Sequence, residues 1–146
     1  MNIAIGSDHG GFALKAALIP FLESLGHTVA DFGCADTCSV DYPDIAFPVA
    51  EAVVRGEYER GVLICGTGVG VCISANKVRG ARCALCSEET TARLTREHND
   101  ANILALGGRI IGEELAKSIA ETFLSSDFSG AERHAKRISK IGGYEA

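Results

Sequence analysis

A cysteine stands directly before a glycine-rich loop in the middle of the chain, in the run Cys65–Gly70 (Cys-Gly-Thr-Gly-Val-Gly). Three glycines allow several backbone N–H groups to converge on one anionic oxygen, and the start of a following helix adds a favourable dipole. The same field lowers the pKa of a cysteine thiol toward neutrality. The loop therefore predicts an oxyanion site with Cys65 as a base. A cysteine that ends an apolar strand is more often a small core thiol, and that alternative stays open until the surroundings are known.

A carboxylate and an imidazole stand side by side in a second glycine-rich turn, Gly6–Gly11, where Asp8 precedes His9. Such a pair can hold a sugar hydroxyl or shuttle a proton. Capping of the next helix by Asp8 explains the turn equally well. Taken alone, this turn is a weak indication of chemistry.

Positively charged and imidazole groups form a third set near the end of the chain. His98 lies in the polar run Arg96–Asp100, where it suits acid or base work near neutral pH, or else only stabilises a helix C-terminus. Arg109 follows two glycines after an apolar run, and a guanidinium is suited to phosphate. Arg133 and Arg137 are four residues apart and so share one helical face, which predicts either a phosphate clamp or a solvated surface.

Commoner cofactor and metal motifs do not fit the sequence. A dinucleotide fingerprint requires a glycine where the chain has Val71, and the Gly-Lys-Ser/Thr end of a phosphate-binding P-loop does not occur. Cys83 and Cys86 are three residues apart on a predicted strand, so that their side chains point to opposite faces and cannot share an ion. We therefore expect no NAD, no ATP bound by a P-loop, and no structural zinc.

Strand-like and helix-like segments alternate along the chain and must position these groups. The strands are continuous apolar runs, as expected where helices cover both faces of a parallel sheet. The predicted strands are Asn2–Gly6, Thr28–Phe32, Gly61–Cys65, Ala81–Cys86 and Ile103–Leu106, and the predicted helices are Phe12–Leu25, Ile45–Arg55, Val71–Val78, Glu89–Glu97 and Glu113–Ser125.

This βα repetition predicts the α/β class: a doubly wound, Rossmann-like three-layer sandwich with a five-stranded parallel sheet and a C-terminal helical tail, 131–143. Pro20 falls inside the first helix, where it should kink the helix or remove a hydrogen bond. The long loop 33–44 is expected to border the site. In an open parallel sheet ligands bind beyond the carboxyl ends of the strands, where Asp8, Cys65 and Arg109 would meet.

Length and composition bound the class of protein. The chain has 146 residues, of which 47% are hydrophobic, which fits one domain spanning 1–146. A net charge of -5 argues against nucleic-acid or membrane-surface binding. The first residues lack the features of a leader, and no apolar run in the chain approaches the roughly 20 residues that cross a bilayer. We therefore expect a cytoplasmic protein whose six cysteines are reduced.

The motifs taken together resemble the type B ribose-5-phosphate isomerase family, which includes galactose-6-phosphate isomerase subunits. The resemblance spans nearly the whole chain in family order, and the combination is highly specific. The matching segments are Gly6–Phe12, Asp41–Asp44, Ile64–Gly70, Ser74–Lys77, Arg96–Asn102 and Arg133–His134.

This resemblance implies interconversion of ribose 5-phosphate and ribulose 5-phosphate, in the pentose phosphate pathway, through an enediolate and without metal or organic cofactor. Cys65 would remove the C2 proton, the amides of 66–70 would stabilise the oxyanion, and Thr67 would assist proton exchange. His98 would help to open the sugar ring, with Asp8 on the opposite side. The remaining implied substrate contacts are phosphate binding by His9, Arg133 and Arg137, and pocket lining by Tyr42, Gly66, Gly68, Val69, Gly70, Asn99 and Arg109.

The resemblance also implies a homodimer, or a dimer of dimers, with active sites shared between subunits. Cys65 places the chain among relatives with a cysteine base rather than a glutamate base. One departure is the acidic Glu132 before Arg133, which bears on the reach of that arginine. The alternatives are a six-carbon substrate, galactose 6-phosphate or allose 6-phosphate, and a phosphosugar-binding regulator without catalysis.

Overall fold

Five parallel strands form the centre of the structure, a computed structural model that describes residues 1–145. The strands are β1 (Asn2–Ser7), β2 (Thr28–Asp31), β3 (Arg60–Cys65), β4 (Cys83–Leu85) and β5 (Ile103–Gly107). Their order in the sheet is β2-β1-β3-β5-β4, and every neighbouring pair is parallel. The five-stranded parallel sheet predicted from the apolar runs is therefore confirmed.

Helices cover both faces of this sheet. They are α1 (Phe12–Ser24), α2 (Tyr42–Val54), α3 (Val69–Ala75), α4 (Glu89–Asn99), α5 (Glu113–Ser125) and α6 (Glu132–Tyr144). One hydrophobic cluster joins α1, α4 and α5 to the first face, and a second joins α2 and α3 to the other. The doubly wound three-layer sandwich is confirmed, and α6 is the predicted helical tail. None of the helices within residues 1–145 is long and apolar enough to span a bilayer.

The central strands alternate strictly between the two clusters. In β3, Val62 and Ile64 pack in the first cluster, whereas Leu63 and Cys65 pack in the second. Successive side chains of a strand point to opposite faces, and both faces of this sheet are covered. This is why β3 reads as a continuous apolar run rather than as an alternating one.

Pro20 lies inside α1 and lacks the N–H group that would donate within the helix, as expected. Helix α1 continues through Pro20, because Leu14, Leu18 and Leu22 are buried against the sheet. Burying three such side chains contributes about 1.5–3 kcal/mol each, which outweighs the cost of about 3 kcal/mol for an interior proline.

Helix α2 begins at Tyr42, three residues before the predicted start, so the long loop ends at Asp41. The prediction placed Tyr42 and Pro43 in the loop and was wrong. Proline suits the first turn of a helix, because the missing N–H has no partner there in any case. The earlier start fixes Tyr42 on a helix.

Two other boundaries also differ. Helix α3 was predicted at 71–78 and lies two to three residues earlier, directly after Gly68. Its C-terminus is at Ala75 because the Asn76 side chain bonds the peptide of Cys83: Oδ1 accepts from the Cys83 amide at 2.8 Å and Nδ2 donates to the Cys83 carbonyl at 2.9 Å. Helix α4 extends to Asn99, where Asp100 in the left-handed region, with φ 45°, ends it.

Candidate active site

The turns that follow β1, β3 and β5 meet at the carboxyl edge of the sheet. The Asp8 amide donates to the Ile64 carbonyl at 3.2 Å, and the Gly108 and Arg109 amides donate to the carbonyls of Cys65 and Gly66 at 2.8 and 2.9 Å. These bonds extend the strand pairing by a residue or two beyond the sheet. They place the three segments singled out from the sequence within one small region.

Cys65 ends β3 and lies at the floor of a cavity of about 390 Å³. Its side chain is only 4% exposed, but its Sγ accepts a hydrogen bond from the Gly68 amide at 3.1 Å. The sulfur is therefore in contact with the glycine loop and with the cavity, not sealed in the interior.

Glycine is required at two positions of this loop. Gly68 has φ +79°, and a Cβ there would lie 2.5 Å from Leu85 Cδ1 and 2.8 Å from the Leu106 carbonyl carbon. A Cβ at Gly70 would lie 2.7 Å from Tyr42 Cζ. The first position lets the backbone turn back onto the sulfur, and the second lets the tyrosine ring lie directly on the loop.

Asp8 holds the first turn with one carboxylate oxygen. Its Oδ1 accepts from the amides of Gly10 and Gly11 at 2.9 and 3.2 Å, and its side chain lines the cavity. Oδ2 takes no hydrogen bond from any part of the chain that the structure describes. One oxygen of the carboxylate thus stabilises the turn, and the other is left to accept a hydrogen bond from a hydroxyl group.

Thr67 and Arg109 form the more exposed part of the cavity wall. Thr67 Oγ1 accepts from the Val69 amide at 3.3 Å. The Arg109 guanidinium lies over Gly66, where a Cβ would be 3.3 Å from Nη1. Arg109 is exposed, and so brings a positive charge to the cavity at little cost in desolvation.

The cavity brings together most of the residues predicted at this edge. One further lining residue, Ile73, was not predicted; it is 58% exposed on the outer face of α3. Only its exposed position in an apolar helix distinguishes it, and exposure is not visible in the sequence. The complete lining is Asp8, Tyr42, Cys65, Gly66, Thr67, Val69, Gly70, Ile73 and Arg109.

His9 lies beside this cavity rather than in its wall. Its side chain is half-buried, and Nδ1 accepts from the Val40 amide at 3.3 Å. Val40 belongs to the long loop, which therefore orients the imidazole. The predicted segment 33–44 borders the cavity through Tyr42, which lines it, while Val40 contacts His9 and does not line the cavity.

The other predicted residues lie at the opposite edge of the sheet. His98 and Asn99 end α4, just before the chain enters the amino end of β5 through Asn102. The Gly61 amide, near the start of β3, donates to the Asn102 carbonyl at 3.0 Å. Cys65 ends that same strand, about 3.3 Å further along for each residue. One chain does not bring His98 to Cys65.

Helix α6 packs against α4 through His134, which contacts His98. The rings of His98 and His134 have centroids 4.4 Å apart, and the Ser129 hydroxyl lies 2.9 Å from His134 Nδ1. A cavity of about 310 Å³ is lined by Arg133, Lys136, Arg137 and Lys140. The i, i+4 spacing correctly predicted the shared face of the two arginines, and the same spacing from Lys136 to Lys140 was missed.

His134 was quoted in the sequence only as part of a motif. It is 5% exposed, whereas Arg133 beside it is exposed. Burial, followed by the positive charge of Arg133, lowers the pKa of His134. The amphipathic pattern of α6 could have indicated this burial, since His134 is on the face turned toward α4.

Glu132 opens α6 as an exposed residue in its first turn, where a carboxylate favours the helix N-terminus. It is not among the residues that line the basic cavity.

Cys83 and Cys86 pack in opposite hydrophobic clusters, Cys83 in the second and Cys86 in the first. The expectation that these two thiols point to different faces of the sheet is confirmed. Between residues 1 and 145, no group of three or more histidine, cysteine or acidic side chains is placed to hold a metal ion.

Comparison with known proteins gives the same family over almost the whole chain. The profile described as Ribose/Galactose Isomerase matches residues 3–141. Ribose-5-phosphate isomerase B of Escherichia coli is 46% identical over 144 residues, covering 99% of this chain and 96% of that protein. D-erythrulose-4-phosphate isomerase of Pectobacterium atrosepticum is 42% identical over 146 residues, covering 99% and 95%.

A solved structure of ribose-5-phosphate isomerase B from Clostridium thermocellum has the same fold. It superposes with a TM-score of 0.97 at 54% sequence identity, covering 99% of this chain and 97% of that one.

Proposed function

We propose, since the chain belongs to the ribose/galactose isomerase family, that it interconverts ribose 5-phosphate and ribulose 5-phosphate with Cys65 as the base. The observation that carries the proposal is the position of Cys65 Sγ, bonded to the Gly68 amide at the floor of a cavity that Asp8 and Arg109 also line. A cytoplasmic location in the pentose phosphate pathway belongs to the same proposal.

The Cys65 thiolate takes the proton from C2 of the open-chain aldose. The C2–H electron pair forms the C1=C2 double bond, and the C1 carbonyl oxygen becomes the oxyanion of an enediolate. A proton then moves from the C2 hydroxyl to O1, assisted by Thr67 at the exposed side of the loop. The Cys65 thiol returns its proton to C1, and C2 becomes the carbonyl carbon of the ketose.

The glycine loop stabilises the charge that develops on oxygen. The Gly68 and Val69 amides already donate to the sulfur and to Thr67 Oγ1, so the remaining amides of 66–70 serve the enediolate. A preorganised donor of this kind is worth about 3–4 kcal/mol in a transition state. Asp8 accepts a sugar hydroxyl with Oδ2 while Oδ1 keeps the turn in place.

A second copy of the chain completes the site in this proposal. His98, Asn99, Arg133 and Arg137 lie at the sheet edge opposite to Cys65, whereas their proposed roles require contact with the same small substrate. The cavity beside Cys65 is lined by the exposed apolar side chains of Val69 and Ile73, which a partner subunit would cover, and Ile110, next to Arg109 in the chain, is also exposed. The assembly is a homodimer or a dimer of dimers with shared sites.

In the shared site the partner supplies the ring-opening acid and the phosphate clamp. His98 of one chain faces Asp8 of the other across the sugar, and Arg133 and Arg137 join His9 at the phosphate. Four cationic side chains surround the basic cavity, which suits a dianionic group in an otherwise acidic protein. Binding energy from the remote phosphate holds the reacting carbon at the sulfur.

The reaction moves two electrons within the substrate and needs no external oxidant or reductant. The proposal therefore includes no organic cofactor and no metal.

A different chain length of substrate is the alternative. The 42% identical relative is named for a four-carbon phosphate, and the family name includes galactose, so four- and six-carbon substrates are the competing candidates. A phosphosugar-binding regulator is the alternative without catalysis.

The test is an assay of the purified protein in the presence of a chelator and without added cofactor. Ribose 5-phosphate, D-erythrulose 4-phosphate, galactose 6-phosphate and allose 6-phosphate are compared by kcat/KM for aldose–ketose conversion. The proposal requires the highest value for ribose 5-phosphate. A higher kcat/KM for another sugar would identify that sugar as the substrate instead. Binding of a sugar phosphate without turnover of any of the four would favour the role of a phosphosugar-binding regulator.

A further inference from the structure

Two thiols outside the proposed active site meet behind the glycine loop. Cys72 is on α3, and Cys83 is the first residue of β4, next to it across the second hydrophobic cluster. The Cys72 Sγ lies 3.4 Å from the Cys83 carbonyl oxygen. Cys72 is partly exposed, whereas Cys83 is buried. This arrangement gives one accessible thiol with a second one behind it.

Asn76 holds the two cysteines in place. Its Nδ2 donates to the Cys83 carbonyl at 2.9 Å and lies 3.6 Å from Cys72 Sγ, while Oδ1 accepts from the Cys83 amide at 2.8 Å. The side chain therefore fixes the end of α3 against the start of β4. The two cysteines are therefore held side by side by a helix and a strand.

A cavity of about 360 Å³ opens beside the pair. Its wall includes Cys83 and Asn76, together with Arg82, Asn99 and the carboxylate of Glu145. The cavity is distinct from the one that Cys65 lines. It reaches Cys83, whereas Cys72 does not line it and is reached from its own partly exposed surface.

The two sulfurs differ in acidity, and the more accessible one is the more acidic. A hydrogen bond from the Cys83 thiol, with further bonds from the Leu85 amide and Asn76, lowers the pKa of Cys72 to about 7. The hydrogen bond to Cys72, with burial, raises the pKa of Cys83. When Cys72 is protonated it donates to the Cys83 carbonyl, and when ionised it accepts from the Cys83 thiol.

We propose that Cys72 and Cys83 form a thiol-modification site that reacts with low-molecular-weight disulfides of the glutathione class and closes to an intramolecular disulfide. The inference does not depend on the proposed isomerase reaction, because neither cysteine takes part in it.

The exchange proceeds in two steps. The Cys72 thiolate attacks one sulfur of the small disulfide, whose S–S bond breaks and releases one thiolate, leaving a mixed disulfide on Cys72. The Cys83 thiol then loses its proton, and its sulfur attacks Cys72 Sγ and displaces the second small thiolate. In total the two cysteines lose two electrons and two protons, and the small disulfide becomes two thiols.

The test exposes the full chain to oxidised glutathione at pH 7, blocks the remaining thiols and maps tryptic peptides by mass spectrometry. The expected product links peptide Gly61–Lys77 to peptide Cys83–Arg93. The link disappears in Cys72→Ser and in Cys83→Ser, and Cys83→Ser accumulates the glutathione adduct on Cys72. Cys86→Ser is the matched control: its thiol is in the same peptide but in the opposite cluster, so the link persists.

A rate comparison within the unmodified sequence removes any dependence on how the variants fold. Cys38 is exposed, and a hydrogen bond with Asp36 raises its pKa. If exposure alone controlled the reaction, Cys38 would react first. The proposal requires Cys72 to react at least about threefold faster at pH 7, since its larger thiolate fraction outweighs its lower nucleophilicity. Faster reaction of Cys38, or a link that survives Cys72→Ser, overturns the proposal.

Discussion

The backbone amide of Gly68 donates a hydrogen bond to Cys65 Sγ across 3.1 Å. The two residues are three apart, and the glycine adopts a left-handed conformation that a Cβ would prevent. The thiol at the end of β3 is therefore held by the loop that follows it. This contact links an apolar strand to a polar site and underlies the first prediction.

Replacing Cys65 by alanine removes the proposed base and leaves the cavity. We expect kcat for ribose 5-phosphate to fall by at least about 100-fold, as for other general bases, whereas the affinity for a phosphosugar ligand changes little. Steady-state kinetics and calorimetric titration measure the two quantities. Cys86→Ala, which removes a buried thiol from the opposite side of the sheet, is the control and keeps its rate. Full turnover in Cys65→Ala would move the base to another residue.

The contact between Tyr42 and Gly70 predicts a coupled pair of substitutions. Gly70→Ala places a Cβ 2.7 Å from Tyr42 Cζ, so the tyrosine ring must move away from its position against the loop. The substitution should therefore raise KM in the native background and do so much less in a Tyr42→Ala background. A double-mutant cycle on kcat/KM should give a coupling of about 1 kcal/mol or more. Additive effects would show that the tyrosine ring does not matter to the loop.

The separation of Cys65 from His98 predicts complementation between inactive chains. In the proposed dimer, Cys65→Ala and His98→Asn should each be nearly inactive alone, whereas a mixed dimer would contain one site with both native residues. Random mixing after joint refolding should restore about one quarter of native activity in a two-fold symmetric dimer. Mixing without subunit exchange is the control and restores nothing. No recovery in proven mixed dimers would mean that each site is built within one chain.

His134 predicts a pH dependence of stability. Burial, then the positive charges of Arg133, His98 and Arg137, lower the pKa of His134, so the unfolded chain takes up a proton at higher pH than the folded one. The free energy of unfolding therefore falls as pH drops through the ordinary histidine range, and above that range His134 causes no loss. His134→Gln should flatten the decline between about pH 7.5 and about pH 5.5 in urea titrations at fixed protein concentration. An unchanged slope would assign the decline to other groups.

Arg96 and Arg93 lie on the same helix, and we expect their substitution by lysine to lower the free energy of unfolding by very different amounts. Its buried guanidinium donates to Asp100 Oδ1 at 2.7 Å, to the Ala101 carbonyl at 2.6 Å and to the Ser126 carbonyl at 3.2 Å. Lysine cannot reproduce this fork, so Arg96→Lys should lower the free energy of unfolding by about 2–4 kcal/mol.

The matched control for Arg96 is Arg93→Lys, which alters a partly exposed pair with Glu97 and should cost less than about 0.5 kcal/mol. Equal effects of the two substitutions in chemical denaturation would contradict the role assigned to the fork.

The parts of the fold that depend on burial could be predicted from the sequence. The run Val62–Cys65 is apolar because both faces of β3 are covered, and the alternation of βα segments leads directly to the parallel sheet. The cysteine and its glycine loop were also visible, since their spacing is local. The ends of the helices could not be predicted in this way. Helix α2 starts at Tyr42 because Pro43 suits the first turn of a helix, and whether the helix starts there depends on the conformation of the preceding loop.

The division of the candidate site into two groups could not be predicted from spacing along the chain. His98 follows Cys65 by 33 positions, and only the direction of α4 relative to the sheet shows that the two lie at opposite edges. The resemblance implied shared sites without giving this geometry. Ile73 and the pair of lysines beside Arg137 were missed because their exposure is a property of packing.

The strand order β2-β1-β3-β5-β4 has a consequence for how the chain folds. The cavity wall combines Asp8, Cys65 and Arg109, which come from three strands joined only through long crossovers. Each such strand pairing loses the conformational entropy of a large loop before its contacts form. This entropy loss makes folding to this topology slow. A partly folded intermediate with intact helices but unpaired central strands has no cavity, so a refolding chain should regain substrate binding only in its final kinetic phase.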